Sequence, residues 1–266
     1  TKVVRMFGRG QTSDDNALGF LLAIGAGIVP EAVSILANRE AAVENDPLYR
    51  LLGHFRSEAV AEIEKHLSDT RLKVIINMIL LIQALEAEEA ADMVGPFLDH
   101  PDSILRMQAL KALLDFKHSE AAPHLRRAIQ SKRKALAFQA IEWAGRYKIQ
   151  EVVPDLLSKM KKFIVFKSDL HTNEMIIKAL GRIGDPASIL QLAKLVDGAV
   201  TLYRKQLVRM RRVLFESLAG YTYTAILPLI KTGYRSNDRE IRSICQEIRK
   251  RVETAAGKEN ISVSNT

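Results

Sequence analysis

The stretch HPDSILRMQALKALLDFKHSEAAPHLRRAIQ, from His100 to Gln130, decides the fold of this chain. Small and large apolar residues recur at helical spacing after Asp102, and a second amphipathic segment follows a polar break at residues 117–119. Residues three and four apart share one face of an α-helix, so each segment has one apolar face to bury. The stretch therefore predicts two short helices joined by a turn.

A fixed spacing repeats this helix-turn-helix unit along the chain. Four similar tripeptides lie 31 residues apart: Glu58-Ala59-Val60, Glu89-Ala90-Ala91, Glu120-Ala121-Ala122 and Glu151-Val152-Val153. A unit of this length cannot bury both of its helices alone, so stacked neighbours share one continuous core. The sequence therefore predicts an all-α fold, a right-handed α-solenoid of about six stacked antiparallel helix pairs.

The segment that begins at Asp102 resembles the repeat of the HEAT family of α-solenoids, in the short form common in bacterial HEAT-like proteins. In that repeat a turn Asp is followed four residues later by Arg or Lys, as Asp102 is by Arg106. Asn173 stands where the same spacing after Asp169 would place a basic residue. The resemblance implies that six residues form a structural ladder between neighbouring repeats: Asp69, Lys73, Asp102, Arg106, Asp238 and Arg242.

The spacing also predicts how the chain is divided. Residues 1–12 have no helical period and are expected to be an arm or linker, and residues 13–253 are expected to form the HEAT-like repeat domain. Within that domain, regular 31-residue repeats occupy about 56–160 and irregular, basic repeats occupy about 161–253. Residues 254–266 are polar and are predicted to be a disordered tail.

Two insertions interrupt the repeats after Glu151. One contains the apolar run from Phe163 to Phe166, and the other surrounds Asp197-Gly198. Irregular repeats arise by drift or carry binding features on one face, and both explanations stay open here. The apolar run would either cap the core locally or form an exposed patch.

Charge is unevenly distributed along the chain. Residues 1–100 hold nine Lys and Arg against fifteen Asp and Glu, whereas residues 101–266 hold thirty against sixteen. The net charges are therefore −6 and +14, which together give the +8 of the whole chain. A basic half of this kind suits an acidic partner or a phosphate backbone.

The densest basic segment is LYRKQLVRMRR, from Leu202 to Arg212. On a helix the cations of this segment spread over an arc of roughly 160°. Two apolar residues, Val208 and Phe215, fall within the same arc. The candidate binding face consists of Arg204, Lys205, Val208, Arg209, Arg211, Arg212 and Phe215. The alternative is a solvated helix face whose two apolar residues pack on a neighbouring helix.

Catalytic patterns are absent from the sequence. It contains no Gly-rich phosphate loop, no nucleophile elbow and no pair of histidines four residues apart, so we expect no enzyme activity, metal or cofactor. Some HEAT-like proteins are alkylpurine DNA glycosylases and others are bilin lyases. The residues that come closest to a glycosylase site are Glu142, Trp143 and Arg146, but Trp143 occupies an expected core position of its helix.

Cysteine use and hydropathy indicate the compartment. Cys245 is the single cysteine and falls on an apolar helix stripe, which favours a reducing compartment and a buried thiol. The apolar run from Ala17 to Val29 is too short to span a bilayer, and Asp14 and Asp15 stand where a signal peptide would not place them. We therefore expect a cytoplasmic protein that does not associate with a membrane.

The sequence favours a non-enzymatic scaffold for protein–protein interaction. The partner, expected to be an acidic protein, would bind the concave face or the basic C-terminal half. One alternative is a nucleic-acid-binding HEAT-like protein, with or without glycosylase activity. Another is self-association, in which the acidic end of one molecule meets the basic end of the next.

Overall fold

The computed structural model describes residues 2–8, 15–40, 46–201 and 204–263, and the side chains of residues 4–7, 15–40, 46–200 and 205–254. These residues form sixteen α-helices: α1 (Lys2–Gly8), α2 (Asp15–Ile24), α3 (Val29–Ala37), α4 (Pro47–Gly53), α5 (Arg56–His66), α6 (Leu72–Ala84), α7 (Ala91–Val94), α8 (Ser103–Asp115), α9 (Ala121–Ile129), α10 (Lys134–Arg146), α11 (Val153–Lys159), α12 (Lys167–Ile183), α13 (Ile189–Asp197), α14 (Arg204–Ser217), α15 (Tyr223–Tyr234) and α16 (Arg239–Val263). The strands of the described residues are β1 (Phe163–Ile164) and β2 (Val200–Thr201). The predicted all-α class is confirmed.

The chain divides into two compact units, Thr1–His124 and Leu125–Thr266. In the first unit α3, α6 and α8 pack in a row, and α5 and α7 pack against that row. In the second unit α10, α12, α14 and α16 form a row, while α11, α13 and α15 each pack against the helix that follows. Each unit is therefore built from stacked helix pairs, as an α-solenoid requires.

The repeated tripeptides mark the first helix of each pair. The middle residue of each tripeptide is almost completely buried: Ala59 in α5, Ala90 just before α7, Ala121 in α9 and Val152 just before α11. Small or β-branched side chains allow these short helices to approach their neighbours closely. The 31-residue spacing is thus the distance along the chain between successive buried positions.

The turns after the second helices repeat with the same spacing. Glu86, Lys117 and Lys148 adopt left-handed backbone conformations, with φ of 50°, 53° and 54°. The next N–H in each turn donates to the carbonyl five residues upstream: Ala87 to Ile82, His118 to Leu113 and Ile149 to Ala144. This is the Schellman motif, which satisfies carbonyls that a helix end leaves free. After α12 the left-handed residue is Gly184, with φ of 71°.

Helices cover part of both segments that the sequence predicted to be terminal. Residues 2–8 form α1 instead of an arm, because Val4 and Phe7 are buried in the first unit, where α1 packs against α3 and α4. A segment of seven residues is too short to display a helical period in its sequence. At the other end α16 continues to Val263, ten residues beyond the predicted end of the repeat domain at 253. Residues 9–12 and 264–266 lie outside the described part of the chain.

The most apolar helix lies in the core of the first unit. In α6, Val74, Met78, Leu81 and Ile82 are completely buried, and α3 and α8 pack against it from two sides. Among the described helices, no single one is long and apolar enough to cross a membrane. The pair formed by α2 and residues 26–37 reaches the required length and composition, but it is bent by 100°.

Candidate functional site

Helix α14 presents the predicted basic face on the second unit. Met210, Val213 and Leu214 on its inner side are buried, and α12, α13 and α16 pack around them. The side chains on the outer side are charged because they remain in water. Packing of α14 between α12 and α16 therefore fixes which of its residues a partner can reach.

An open depression of about 550 Å³ lies along the outer side of α14. We call it the α14 groove. Its walls come from α12, α14 and α16, and its lining residues are Lys178, Lys205, Val208, Arg209, Arg212, Val213, Glu216 and Glu240. Four of the predicted face residues line it together: Lys205, Val208, Arg209 and Arg212.

Six of the side chains that line the groove are exposed: Lys178, Lys205, Val208, Arg209, Glu216 and Glu240. The side chains of Lys178 and Lys205 are exposed and have no hydrogen-bond or ion-pair partner among the described residues. Val208 is 42% exposed and is the one exposed apolar side chain among the residues that line the groove. Lys178 belongs to α12, so its contribution cannot be found from the α14 sequence alone.

The arginines of the groove are held by carboxylates. Arg209 Nη2 lies 3.1 Å from Oε2 of Glu174, a buried residue of α12. Arg212 Nε donates to Oδ2 of Asp238 at 2.8 Å, and its Nη1 pairs with Glu240. Each guanidinium is therefore partly neutralised before any ligand arrives.

The pKa values of these groups reflect the pairing. The hydrogen bond from the Arg212 guanidinium holds the pKa of the Asp238 carboxyl below its usual range. The same hydrogen bond raises the pKa of Arg212 above its usual range. Both groups are therefore ionised at neutral pH, and the groove carries fixed charges of both signs.

The other predicted face residues do not line the groove. Arg211 points to α13, where its Nε lies 3.6 Å from Oδ1 of Asp197. The side chain of Arg204 lies outside the described side chains. The assignment of Phe215 to the exposed face requires correction, because this residue is only 9% exposed and packs against Gly233 of α15. A helical wheel gives the arc of a residue but not the neighbour that covers it.

At Asp102 and Arg106 the repeat motif acts within one turn. Asp102 caps α8 by accepting hydrogen bonds from the N–H groups of Ile104 and Leu105. Arg106 donates to the main-chain carbonyls of His100 and Pro101. The pair therefore closes the turn that precedes α8, and the expected ladder between repeats is not formed by these two side chains.

Asp238 and Arg242 repeat this arrangement with one additional contact, whereas Asp69 and Lys73 bind other partners. Asp238 accepts from the N–H of Glu240 while Arg242 donates to the carbonyl of Ser236, as in the first motif. Asp238 differs by also accepting from Arg212 of the preceding helix pair. In the first unit Asp69 is bound by Arg71, which lowers its pKa to about 2, and Lys73 pairs with Glu40 at 2.8 Å. Two of the six residues, Asp238 and Lys73, thus contact a preceding part of the chain, but their partners are Arg212 and Glu40 instead of other ladder residues.

The residues considered for a glycosylase are not brought into one site. Trp143 is 6% exposed and belongs to the core, as its position predicts. Glu142 lies on the surface and forms an ion pair of 2.9 Å with Arg182. The described residues contain no group of three or more His, Cys, Asp or Glu arranged to hold a metal ion.

The two insertions of the sequence meet in the structure. Phe163 of β1 pairs with Val200 of β2 in a short parallel ladder. Asn173 of α12, almost completely buried, holds the start of this feature: its amide accepts from the N–H of Lys161 at 3.0 Å and donates to the same residue's carbonyl at 2.9 Å. Ile164 points inward and is 3% exposed, so the run both anchors in the core and leaves an exposed patch.

Comparison with protein families agrees with the stacked helix pairs. The family model for HEAT repeats matches residues 60–144, and the model for the PBS lyase HEAT-like repeat matches residues 174–198. This chain therefore contains HEAT-like repeats. HEAT repeats are commonly protein-interaction scaffolds and are generally non-catalytic.

Two further comparisons are less informative. The crystal structure of an engineered protein, a structural genomics target, is 12% identical over 96% of this chain and 97% of its own. Its TM-score of 0.26 is too low to establish a common arrangement of helices. Functionally curated proteins give no match.

Proposed function

We propose that this HEAT-like repeat protein is a non-enzymatic scaffold that binds an acidic protein segment in the α14 groove. The observation that carries the proposal is two unpaired lysines beside an exposed valine, in a groove lined by four cations and by two carboxylates, Glu216 and Glu240. Lys178 and Lys205 would bind carboxylates of the partner, and Val208 would contact an apolar side chain between them.

The charge pattern favours a protein over a nucleic acid. A phosphate backbone is bound by cations that replace its counterions, and every internal carboxylate reduces that gain. Glu174, Asp238 and Glu240 already occupy Arg209 and Arg212. A surface with fixed charges of both signs instead discriminates among protein partners, because a mismatched charge is repelled.

The proposal is tested by comparing two probes of matched net charge. One is a fluorescent peptide in which glutamates alternate with leucines, and the other is a short DNA duplex. We expect the peptide to bind, and Lys178→Glu together with Lys205→Glu to weaken it by about tenfold or more through like-charge repulsion. The exposed Lys132 outside the groove provides the matched control, and Lys132→Glu should leave peptide binding unchanged.

Binding of the DNA duplex tests the alternative function, which is nucleic-acid binding. The proposal predicts that the duplex binds more weakly than the peptide at both about 50 and about 200 mM salt. Tight duplex binding that weakens steeply with salt, and that Arg209→Glu, Arg211→Glu and Arg212→Glu together abolish, would instead establish nucleic-acid binding.

A further inference from the structure

Four large apolar side chains are exposed where the two insertions meet. Phe163, Val165, Phe166 and Val200 are 70%, 65%, 66% and 56% exposed, and we call them the β1 patch. Three of them lie within four consecutive residues, and the fourth is paired with Phe163 across the ladder. Soluble proteins rarely expose large apolar side chains together unless the surface binds something. None of the four lines the α14 groove, so this is a separate surface.

Lysines flank the apolar run of the β1 patch along the chain. The segment from Lys159 to Lys167 contains four lysines and no acidic residue. Lys161, Lys162 and Lys167 are exposed, and the ammonium of Lys162 lies 6.0 Å from the ring centre of Phe163. The patch therefore combines apolar side chains with exposed lysines immediately before and after them in the chain.

Hydrogen bonds and buried side chains fix the backbone that carries the β1 patch. Asn173 binds both main-chain groups of Lys161, and the N–H of Val200 donates to the carbonyl of Lys162 at 2.8 Å. Met160 and Ile164 are buried in the second unit. The phenylalanines are thus presented outward by a fixed backbone, and binding does not require the segment to be ordered first.

We propose that the β1 patch binds the surface of an anionic lipid membrane. The phenylalanines and valines enter the boundary between headgroups and acyl chains, and the lysines bind phosphate and carboxylate groups of the headgroups. A protein partner would need a cavity shaped for two protruding rings, whereas the acyl boundary accepts them without one. Adsorption of this kind needs no spanning helix, so it differs from the membrane association that hydropathy argued against.

The test uses the full chain and vesicles of defined composition. Sedimentation is measured with phosphatidylcholine vesicles and with vesicles that also contain about 30% phosphatidylserine. We expect binding to the anionic vesicles only. Phe163→Ser with Phe166→Ser should weaken it by about tenfold or more, because it removes the inserted rings. Phe20 of α2, 57% exposed, supplies the control, and Phe20→Ser should bind as the wild type does.

A second pair of variants separates insertion from simple charge attraction. Lys161→Glu with Lys162→Glu should abolish binding, whereas Lys132→Glu should retain it. All of these side chains are exposed, so circular dichroism should show unchanged folding. The proposal is overturned if anionic vesicles do not bind, or if the loss of both phenylalanines leaves binding intact. It is also overturned if the variants abolish only self-association or capture of an acidic protein, which would assign the patch to that occupant.

Discussion

Replacing Gly181 with alanine is expected to lower the free energy of unfolding by about 2–3 kcal/mol. Gly181 lies where α12 crosses α14, and a Cβ atom there would come within 2.6 Å of Cβ and 2.9 Å of the carbonyl oxygen of Ser217. Alanine normally stabilises a helix relative to glycine, so a loss in this position would have to come from the contact. Denaturant unfolding of the two proteins measures the difference.

Two comparisons isolate the steric cause. Gly19→Ala in α2 is the matched control, because a Cβ atom at Gly19 would meet nothing within 4 Å, and it should stabilise the protein by about 0.5–1 kcal/mol. Ser217→Gly combined with Gly181→Ala should recover part of the loss, since it removes the nearest obstructing atom. Equal effects of alanine at Gly181 and at Gly19 would show that the two helices are not in close contact.

Replacing Asn173 with alanine is expected to cost about 3 kcal/mol. The change leaves the N–H and the carbonyl of Lys161 without the two hydrogen bonds that now satisfy them. It also removes the anchor of β1, so Val200 should lose protection of the N–H that it donates to Lys162. Hydrogen exchange of the Val200 amide, together with denaturant unfolding, measures both consequences.

The neighbouring Thr172 provides the comparison for Asn173. Its hydroxyl donates only to the carbonyl of Ser168 within the same helix, so Thr172→Ala should cost less than about 1 kcal/mol and leave Val200 protected. An Asn173→Ala protein that exchanges Val200 no faster than the Thr172→Ala protein would show that Asn173 does not anchor the strand.

The spacing of small residues was enough to predict the fold class. Ala59, Ala90, Ala121 and Val152 recur because each lies at the same core contact of a stacked pair, and a contact that repeats in space repeats in sequence. The left-handed residues Glu86, Lys117 and Lys148 carry the same period. That signal was present in the sequence, but it is hidden because none of the three is glycine.

The insertions could be located from the sequence but not interpreted. Phe163 and Val200 are 37 positions apart, and nothing local indicates that they pair. The loss of the basic residue at Asn173 was visible, yet its reason was not, because the amide binds the main chain of the inserted segment. Such long-range contacts form only after the helices pack.

The sequence predicted which α14 residues share one side of the helix, but not how much of their positive charge is left unpaired. The arc of α14 placed Lys205, Val208 and Arg209 on one accessible side, where the structure also has them. The carboxylates that neutralise the arginines come from α12 and from residues 238–240, which no helical wheel of α14 includes. The count of cations therefore overstated how much positive charge is available to a ligand.

The most direct measurement is photo-crosslinking inside the cells that make the protein. A benzophenone side chain is placed at Val208 in the α14 groove or, as the control, at the exposed Gln191 of α13. We predict a discrete protein adduct from Val208 that is missing from Gln191 and is lost when Lys178→Glu and Lys205→Glu are added. Identical adducts from both positions, or adducts with nucleic acid alone, would contradict a protein-binding groove.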